Sequence, residues 1–399
     1  MTEPFAKYPR LAIAPGKHRR AEAGHPWIYA NEVVLDAAAK AIPPGSIVSV
    51  FDAGGRPLGV ASFNLHALVT LRLFDRDPTR RIDHAFLVER LTRALAIREK
   101  LFAEPYYRLI HAEADGLPGL IVDRYGPALV CQLNTAGMAA LEDELLAALD
   151  AVLAPGIVVL RNDSPARALE GLESEIRVVK GMLDGALPVR ENGCDFLADL
   201  SEGQKTGWFF DQRPNRAMVA RLVGGARVLD AYTFSGGFGI QAAVAGAQSV
   251  TLLDRSEGSL ALAARAAELN GVGARCRTLR GEVFETLERL KAEGERFDVV
   301  ILDPPAFVKS KKDLAAGSRG YRKMVRLGAA LVSRGGFLFA ASCSHNMPVD
   351  LFAEAVAQGL RDADRGGRIL YSGGAGPDHP VHPALPESAY LKCQLLALD

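Results

Sequence analysis

The apolar positions of the chain change rhythm twice. From Arg10 to about Arg72 they fall in short runs broken by turns, GSIVSVFD, RPLGVASFN and ALVTLRLF, with Gly54-Gly55 between two of them. Such runs, rich in Val, Ile and Phe, predict a small, mostly β module containing a hairpin. HPWIYANEV, from His25 to Val33, belongs to it, and Trp27 and Tyr29 read either as core packing or as ligand-facing aromatics. From Asp83 to Lys100 the residues Phe86, Leu87, Leu91, Leu95 and Ile97 recur near helical spacing among charged neighbours, which predicts an amphipathic helix. RLIHAEADGLPGLIVDRYG and PALVCQLN, strand-like around turns, then a helical stretch from Ala139 to Leu153 and a strand-like IVVLRND, extend this into an α/β module over roughly 75 to 185. VVKG followed by ALPVREN predicts a hairpin leading to the next unit.

From about Ala198 the rhythm changes again. Helix-like NRAMVARLV leads to ARVLDAYTF, and helical and strand-like segments then alternate through GIQAAVA, SVTLLD, SLALAARAAELNG, RCRTL, FETLERLKA, FDVVILD, YRKMVRLGAALV and GGFLFAASCS. Alternating helices and apolar strands predict a parallel sheet covered on both faces. With right-handed crossovers it becomes an open, doubly wound sheet whose ligands sit at the C-terminal strand ends. The expected fold class is α/β, in three segments: 1–75, mostly β; 76–190, α/β; and 191–399, doubly wound.

Composition narrows the classes of function. With 399 residues and 49% apolar content the chain can build several cores and is not a disordered one. Lys plus Arg and Asp plus Glu are 47 each, so no global field attracts a polyanion, although a local basic face stays open. The five cysteines, Cys131, Cys194, Cys276, Cys343 and Cys393, form no CxxC pair, which argues against a zinc ribbon or a disulfide framework and fits reduced thiols in the cytoplasm. Met1 to Arg10 resembles no targeting signal, and no apolar run reaches the roughly 18 residues of a membrane span.

Chemistry concentrates at the predicted strand ends. The first carries Asp230-Ala-Tyr-Thr-Phe-Ser-Gly-Gly-Phe-Gly239, whose glycines permit a tight turn and close approach of a ligand. Its first glycine comes six residues after Asp230, unlike a dinucleotide fingerprint, and a carboxylate there repels pyrophosphate but can answer a cationic amino acid. The second strand ends at Asp254, suited to ribose hydroxyls, and the third is followed by Glu282, within reach of an adenine amino group; each could instead serve a helix N-terminus. Three such carboxylates favour an adenosine that bears an amino acid and no phosphates. The fourth strand ends in Asp303-Pro-Pro-Ala-Phe307, where two prolines remove amide donors and hold Asp303 at the mouth of a stiff loop. The next ends in Ser342-Cys-Ser-His345, a polar setting that core filling explains poorly, so Cys343 is the candidate nucleophile.

With these motifs in place the sequence resembles the ribosomal RNA large subunit methyltransferase I family, S-adenosylmethionine-dependent RNA cytosine-5 methyltransferases, over nearly its whole length. HPWIYANEV and its flanking strands are similar to the family's N-terminal PUA domain, and RLIHAEADGLPGLIVDRYG to its central module. Glu191 to Arg213, LDAYTFSGGFG, DRS at Asp254 to Ser256, DPPAF and SCSH are similar to motifs of its Rossmann-like catalytic domain. The resemblance implies that S-adenosylmethionine is bound by Lys205, Phe210, Asp211, Gln212, Asp230, Tyr232, Phe234, Ser235, Gly236, Gly237, Asp254, Ser256, Glu282, Asp303 and Pro304, with no metal. Glu282 departs from the more usual Asp, and DPPAF lacks the cysteine of the two-cysteine RNA cytosine methyltransferases, leaving Cys343 as the single nucleophile and the elimination base unassigned. In the implied chemistry Cys343 adds to C6 of cytosine, and a protonated Asp303, which needs a raised pKa, supports the ring at N3. His345 either tunes the thiol or serves structure or RNA contact.

The implied partner is large-subunit ribosomal RNA, with a homodimer allowed by resemblance alone. Between Pro305 and Arg334 stand eight Lys or Arg residues and one acid, Asp313. This run reads as a solvated face or as a phosphate-contact loop, with Lys309, Lys311, Lys312, Arg319, Arg322 and Lys323 as contacts and Phe307 or Tyr321 walling the base pocket. Arg10, Lys17, Arg19 and Arg20 form a second basic group. A nicotinamide oxidoreductase leaves DPPAF and SCSH without a role. Methylation of a base nitrogen uses Asp-Pro-Pro but needs no cysteine, and a non-enzymatic assembly protein leaves the three carboxylates unexplained.

Overall fold

The computed structural model describes residues 8–200 and 207–399. They form two compact units, one of residues 8–185 and 377–388, the other of 186–200, 207–376 and 389–399.

The first unit holds two five-stranded sheets. One runs in the spatial order Arg10–Ala12, Ile47–Phe51, Pro57–Phe63, Val69–Asp75, Trp27–Tyr29. Its strands Ile47–Phe51 and Pro57–Phe63 form the predicted antiparallel hairpin around Gly54-Gly55. The other runs Glu175–Lys180, Ile157–Asn162, Ala128–Leu133, Leu120–Tyr125, Tyr106–His111. The helix His84–Leu101 starts where Asp83 accepts the Phe86 amide, and it buries Phe86, Leu87, Leu91 and Ala94. The expected helix from Ala139 begins at Glu142, after a short turn at Ala136–Ala139. The VVKG–ALPVREN hairpin does not form. Glu175–Lys180 pairs with Ile157–Asn162, and Leu187–Glu191 pairs with Cys194–Ala198. The reason is the Asn192-Gly193 dipeptide, whose positive φ angles of 51° and 78° make the tight two-residue turn that a right-twisted hairpin requires.

The second unit is built on a seven-stranded sheet: β1 (Arg227–Ala231), β2 (Ser249–Asp254), β3 (Cys276–Arg280), β4 (Phe297–Leu302), β5 (Val332–Ser342), β6 (Gly367–Gly373) and β7 (Lys392–Leu398), in the order β3-β2-β1-β4-β5-β7-β6. The helices are α1 (Arg213–Ala220), α2 (Gly237–Val244), α3 (Glu257–Leu269), α4 (Val283–Ala292), α5 (Leu314–Leu331) and α6 (Val349–Asp362). β1 to β5 are parallel as expected, but β7 runs antiparallel to β5 and to β6, so the sheet is mixed rather than wholly parallel. β6 is an edge strand with most side chains exposed, which is why no apolar run marked it in the sequence. The core joins Leu229, Val300, Leu302 and Leu338 of the sheet to Met324, Val325 and Leu327 of α5. At roughly 1.5–3 kcal/mol per large side chain buried, this packing fixes the strands in register. It brings the C-terminal ends of β1, β2, β4 and β5 to one edge, with the strand order reversing between β1 and β4, the place where such sheets bind ligands.

Candidate active site at the strand ends

The loop after β1 is strained where it matters. Tyr232 and Phe234, neither of them glycine, hold φ of 63° and 51°, and Gly236 holds 89°. Three bonds fix this path: Thr233 N to Leu253 O at 3.0 Å, Phe234 N to Asp254 Oδ2 at 3.0 Å, and Gly236 N to Thr233 O at 2.9 Å. The later glycines serve packing. A Cβ on Gly239 would stand 2.2 Å from Leu252 Cδ2, and one on Gly237 would stand 2.6 Å from Arg216 Nε, so α2 can lie against β2 and α1 only with glycine there.

Asp230 is buried, accepting the Thr233 hydroxyl at 2.6 Å and the Gly239 amide at 2.8 Å through Oδ2. Among the described residues its Oδ1 has no partner, and neither does the buried Ser235 hydroxyl in the same loop. Burial raises its pKa to about 6, against the pull of those two bonds and of the Arg216 charge. Asp254 uses both oxygens, on the amides of Phe234 and Ser256, and stays partly exposed. Ser256 is the N-cap of α3, its hydroxyl accepting from Ser259 N at 3.2 Å. Glu282 lies exposed at the start of α4 without capping it, so its carboxylate is not consumed by the helix. Tyr232 is partly buried, its phenol pushed up by burial and by the charge of Glu282.

The second cluster joins α1 to the ends of β4 and β5. Gln212 donates to Asp303 Oδ1 at 2.8 Å and accepts from Asn215 at 2.6 Å; Asn215 in turn donates to Gly374 O and accepts from Tyr371. Asp303 is raised to about 7, first by burial, then by the neighbouring negative charge of Asp211, with Arg216 opposing. Asp211 is buried and accepts the Tyr390 hydroxyl at 2.5 Å, while its Oδ1 has no partner among the described residues. Phe210 is buried, with the Arg213 guanidinium over its ring, and Phe209 meets Phe234 edge-on at 5.3 Å. Lys205 lies outside the described residues. Cys343 leaves the end of β5 partly buried, its Sγ 3.8 Å from the carbonyl of Pro304, the residue after Asp303.

Tyr321 is corrected. It is fully buried, its hydroxyl 2.8 Å from both Ser342 and Ser344, where it fixes the turn that carries Cys343 and cannot reach RNA. Phe307, stacked between Phe284 and Tyr321, remains partly exposed. The basic residues divide as well. Arg322 pairs with Asp362 and Lys323 with Glu288, and Arg20 pairs with Glu32. Lys17, Arg19, Lys309, Lys311, Lys312 and Arg319 are exposed and form no ion pair among the described residues, and Arg10 lies over the Phe51 ring at 3.9 Å. His345 is exposed and stacks on Tyr390.

Sequence reasoning missed four residues here: Asn215, Tyr371, Tyr390 and Lys392. Of these only Lys392 left a signal, as a lone cation opening the apolar run CQLLAL.

A family model for S-adenosylmethionine-dependent methyltransferases matches residues 169–366, and one for PUA-like domains matches 11–76. Ribosomal RNA large subunit methyltransferase I of Shewanella denitrificans is 37% identical over 96% of this chain and 98% of its own, and that of Klebsiella pneumoniae 35% over 96% and 97%. The chain belongs to the ribosomal RNA large subunit methyltransferase I family. The fold agrees. A protein described as an S-adenosylmethionine-dependent methyltransferase from Streptococcus mutans superposes with a TM-score of 0.81 at 20% identity, over 98% of this chain and all of the other. Membership of the family makes this chain an S-adenosylmethionine-dependent methyltransferase. The residues present fit that cofactor: the buried, unpartnered oxygens of Asp230, Asp211 and Ser235 offer acceptors to a cationic amino acid, and Asp254 and Glu282 flank the next two strand ends. Among the described residues no helix is long and apolar enough to cross a membrane, and no cluster of three or more His, Cys, Asp or Glu could hold a metal ion.

Proposed function

We propose that this family member methylates C5 of a cytosine in large-subunit ribosomal RNA through a covalent adduct between Cys343 and C6 of the base. The observation that carries this reading is Cys343 Sγ lying against the Pro304 carbonyl, next to an Asp303 whose pKa is raised to about 7. C5 of cytosine is a weak nucleophile, and addition of the Cys343 thiolate at C6 makes it enamine-like. Asp303, held by Gln212 and partly protonated near neutrality, donates toward N3 as charge builds on the ring. S-adenosylmethionine, when bound, supplies an electrophilic methyl group on its sulfonium sulfur. Loss of the C5 proton to a base then re-forms the C5–C6 double bond and expels the Cys343 thiolate.

Asp230, Asp254, Glu282 and Asp211 hold the cofactor side of the site in this reading, with Phe210 and Gln212 behind them and the loop Tyr232, Phe234, Ser235, Gly236, Gly237 shaping it; Lys205 is assigned to the cofactor by family resemblance. Lys309, Lys311, Lys312 and Arg319 follow the DPPAF mouth and supply phosphate contacts, joined by Arg10, Lys17 and Arg19 of the PUA-like segment. The setting is cytoplasmic; a homodimer rests on resemblance and is checked by sedimentation. The deciding experiment incubates the protein with methyl-labelled S-adenosylmethionine and unmodified large-subunit RNA, then digests the RNA and identifies the labelled nucleoside. Label in 5-methylcytidine is expected. Label on a base nitrogen, with Cys343→Ala fully active, would replace this reading with nitrogen methylation.

A further inference from the structure

Among the described residues Lys392 is the only buried lysine, at 5% exposure. It opens β7 opposite Ser342, the residue before Cys343. Its ammonium donates to Ser344 O and to Met347 O, both at 2.7 Å, the two carbonyls that begin and end the turn after Cys343. No carboxylate lies within ion-pair distance of it among the described residues. A buried ammonium satisfied only by neutral carbonyls is costly, and a nearby anion relieves that cost. The anion that can form beside it is the Cys343 thiolate.

We propose that Lys392 is a positioning residue for the methyl-transfer reaction, holding the Ser344–Met347 turn from beneath and stabilising Cys343 as a thiolate, both before it adds to the base and when it is expelled. The inference rests on Cys343 being the nucleophile. The electrostatics agree: burial lowers the Lys392 pKa to about 8 and the Cys343 charge opposes that shift. Other titratable groups also lie near Cys343. Asp303, after β4, is anionic when ionised; Tyr321 of α5 is neutral, its phenol pushed up by burial; and His345 faces solvent. Ser342, Tyr321 and Ser344 form a hydroxyl chain that fixes the turn's side chains, while Lys392 fixes its carbonyls.

The test follows alkylation of Cys343 by iodoacetamide across pH, read by peptide mass spectrometry so that the other four cysteines are resolved separately. In the wild-type protein Cys343 is expected to titrate below the roughly 8.5 of a free thiol. In Lys392→Met its apparent pKa is expected to rise by about one unit, a tenfold loss of thiolate at pH 7, with S-adenosylmethionine affinity unchanged. Lys392→Arg is expected to restore most of the shift. A wild-type Cys343 that titrates at or above a free thiol overturns the proposal without any variant, and so does a Lys392→Met profile that overlays the wild type. The nucleophile reading fails separately, when Cys343→Ala transfers methyl groups at the wild-type rate.

Discussion

Buried carboxylates occur in both units and are treated in opposite ways. In the first unit Asp115, Asp123 and Glu170 each meet a guanidinium, and Asp378 meets the His379 ring at 3.0 Å. Arg98 grips Asp115 with two bonds of 2.7 and 2.8 Å, Arg108 grips Asp123 with two of 2.8 and 2.9 Å, and Arg72 reaches Glu113 and Glu170. In the C-terminal unit Glu191 is handled likewise, bonded to Arg216 and Trp208. Asp230 and Asp303 at the strand ends, and Asp211 in the turn before α1, have hydroxyl, amide and carboxamide partners but no ion pair among the described residues, and two of them keep an oxygen with no partner there. A fold that needs only stability closes its buried charges on themselves, because an unmatched one costs several kcal/mol. The strand-end group departs from that economy where a cationic cofactor and a reacting base are expected.

The comparison can be broken most sharply at Cys343. Cys343→Ala is expected to lower methyl transfer to ribosomal RNA by several orders of magnitude while S-adenosylmethionine binding by calorimetry stays intact. Next comes Asp303→Asn, expected to cost about 10²–10⁴-fold in rate. In the wild type, kcat/KM should fall as pH rises through about 7, because the raised Asp303 loses its proton there, and the variant should lack that limb.

Stability should divide the two regions the other way. Asp115→Asn leaves Arg98 buried without its counter-charge and is expected to lose about 3–5 kcal/mol in urea unfolding. Asp303→Asn should lose little. An unfolded aspartate ionises near 3.8, whereas folded Asp230 and Asp303 hold their protons to about 6 and about 7, so the folded state binds more protons in between. These two residues therefore make the cofactor-free protein less stable as pH rises from about 4 to about 7, and Asp303→Asn should flatten the upper part of that fall. Equal loss of stability in Asp115→Asn and Asp303→Asn would end the distinction. The smallest effect concerns the basic residues: Lys312→Ala should reduce the salt dependence of RNA binding by about one unit of slope, and Arg322→Ala, whose charge is already matched by Asp362, by less.

The site was legible in the sequence wherever a single strand end carries its own chemistry. Asp230, Asp254, Asp303 and Cys343 each end a strand that alternation locates, so their convergence on one edge follows from parallel winding. Tyr321 was misread because its spacing on α5 places it beside basic residues, while only packing shows that it points inward to Ser342 and Ser344. Lys392 and Tyr390 were missed because antiparallel β7 returns them to the catalytic edge from the far end of the chain, and nothing local in LKCQLL announces its neighbour in the sheet.

The sequence by itself determined the α/β class, the parallel, doubly wound character of the C-terminal sheet and the residue types waiting at its strand ends, because periodicity and turn chemistry are local properties. Only the tertiary structure decided which charges are matched. Pairing depends on which side chains lie within a few ångströms across elements distant in the chain. That contact made Arg322 and Lys323 partners of Asp362 and Glu288, left Asp230 and Asp211 with open oxygens, and set a buried ammonium beneath the turn that carries Cys343.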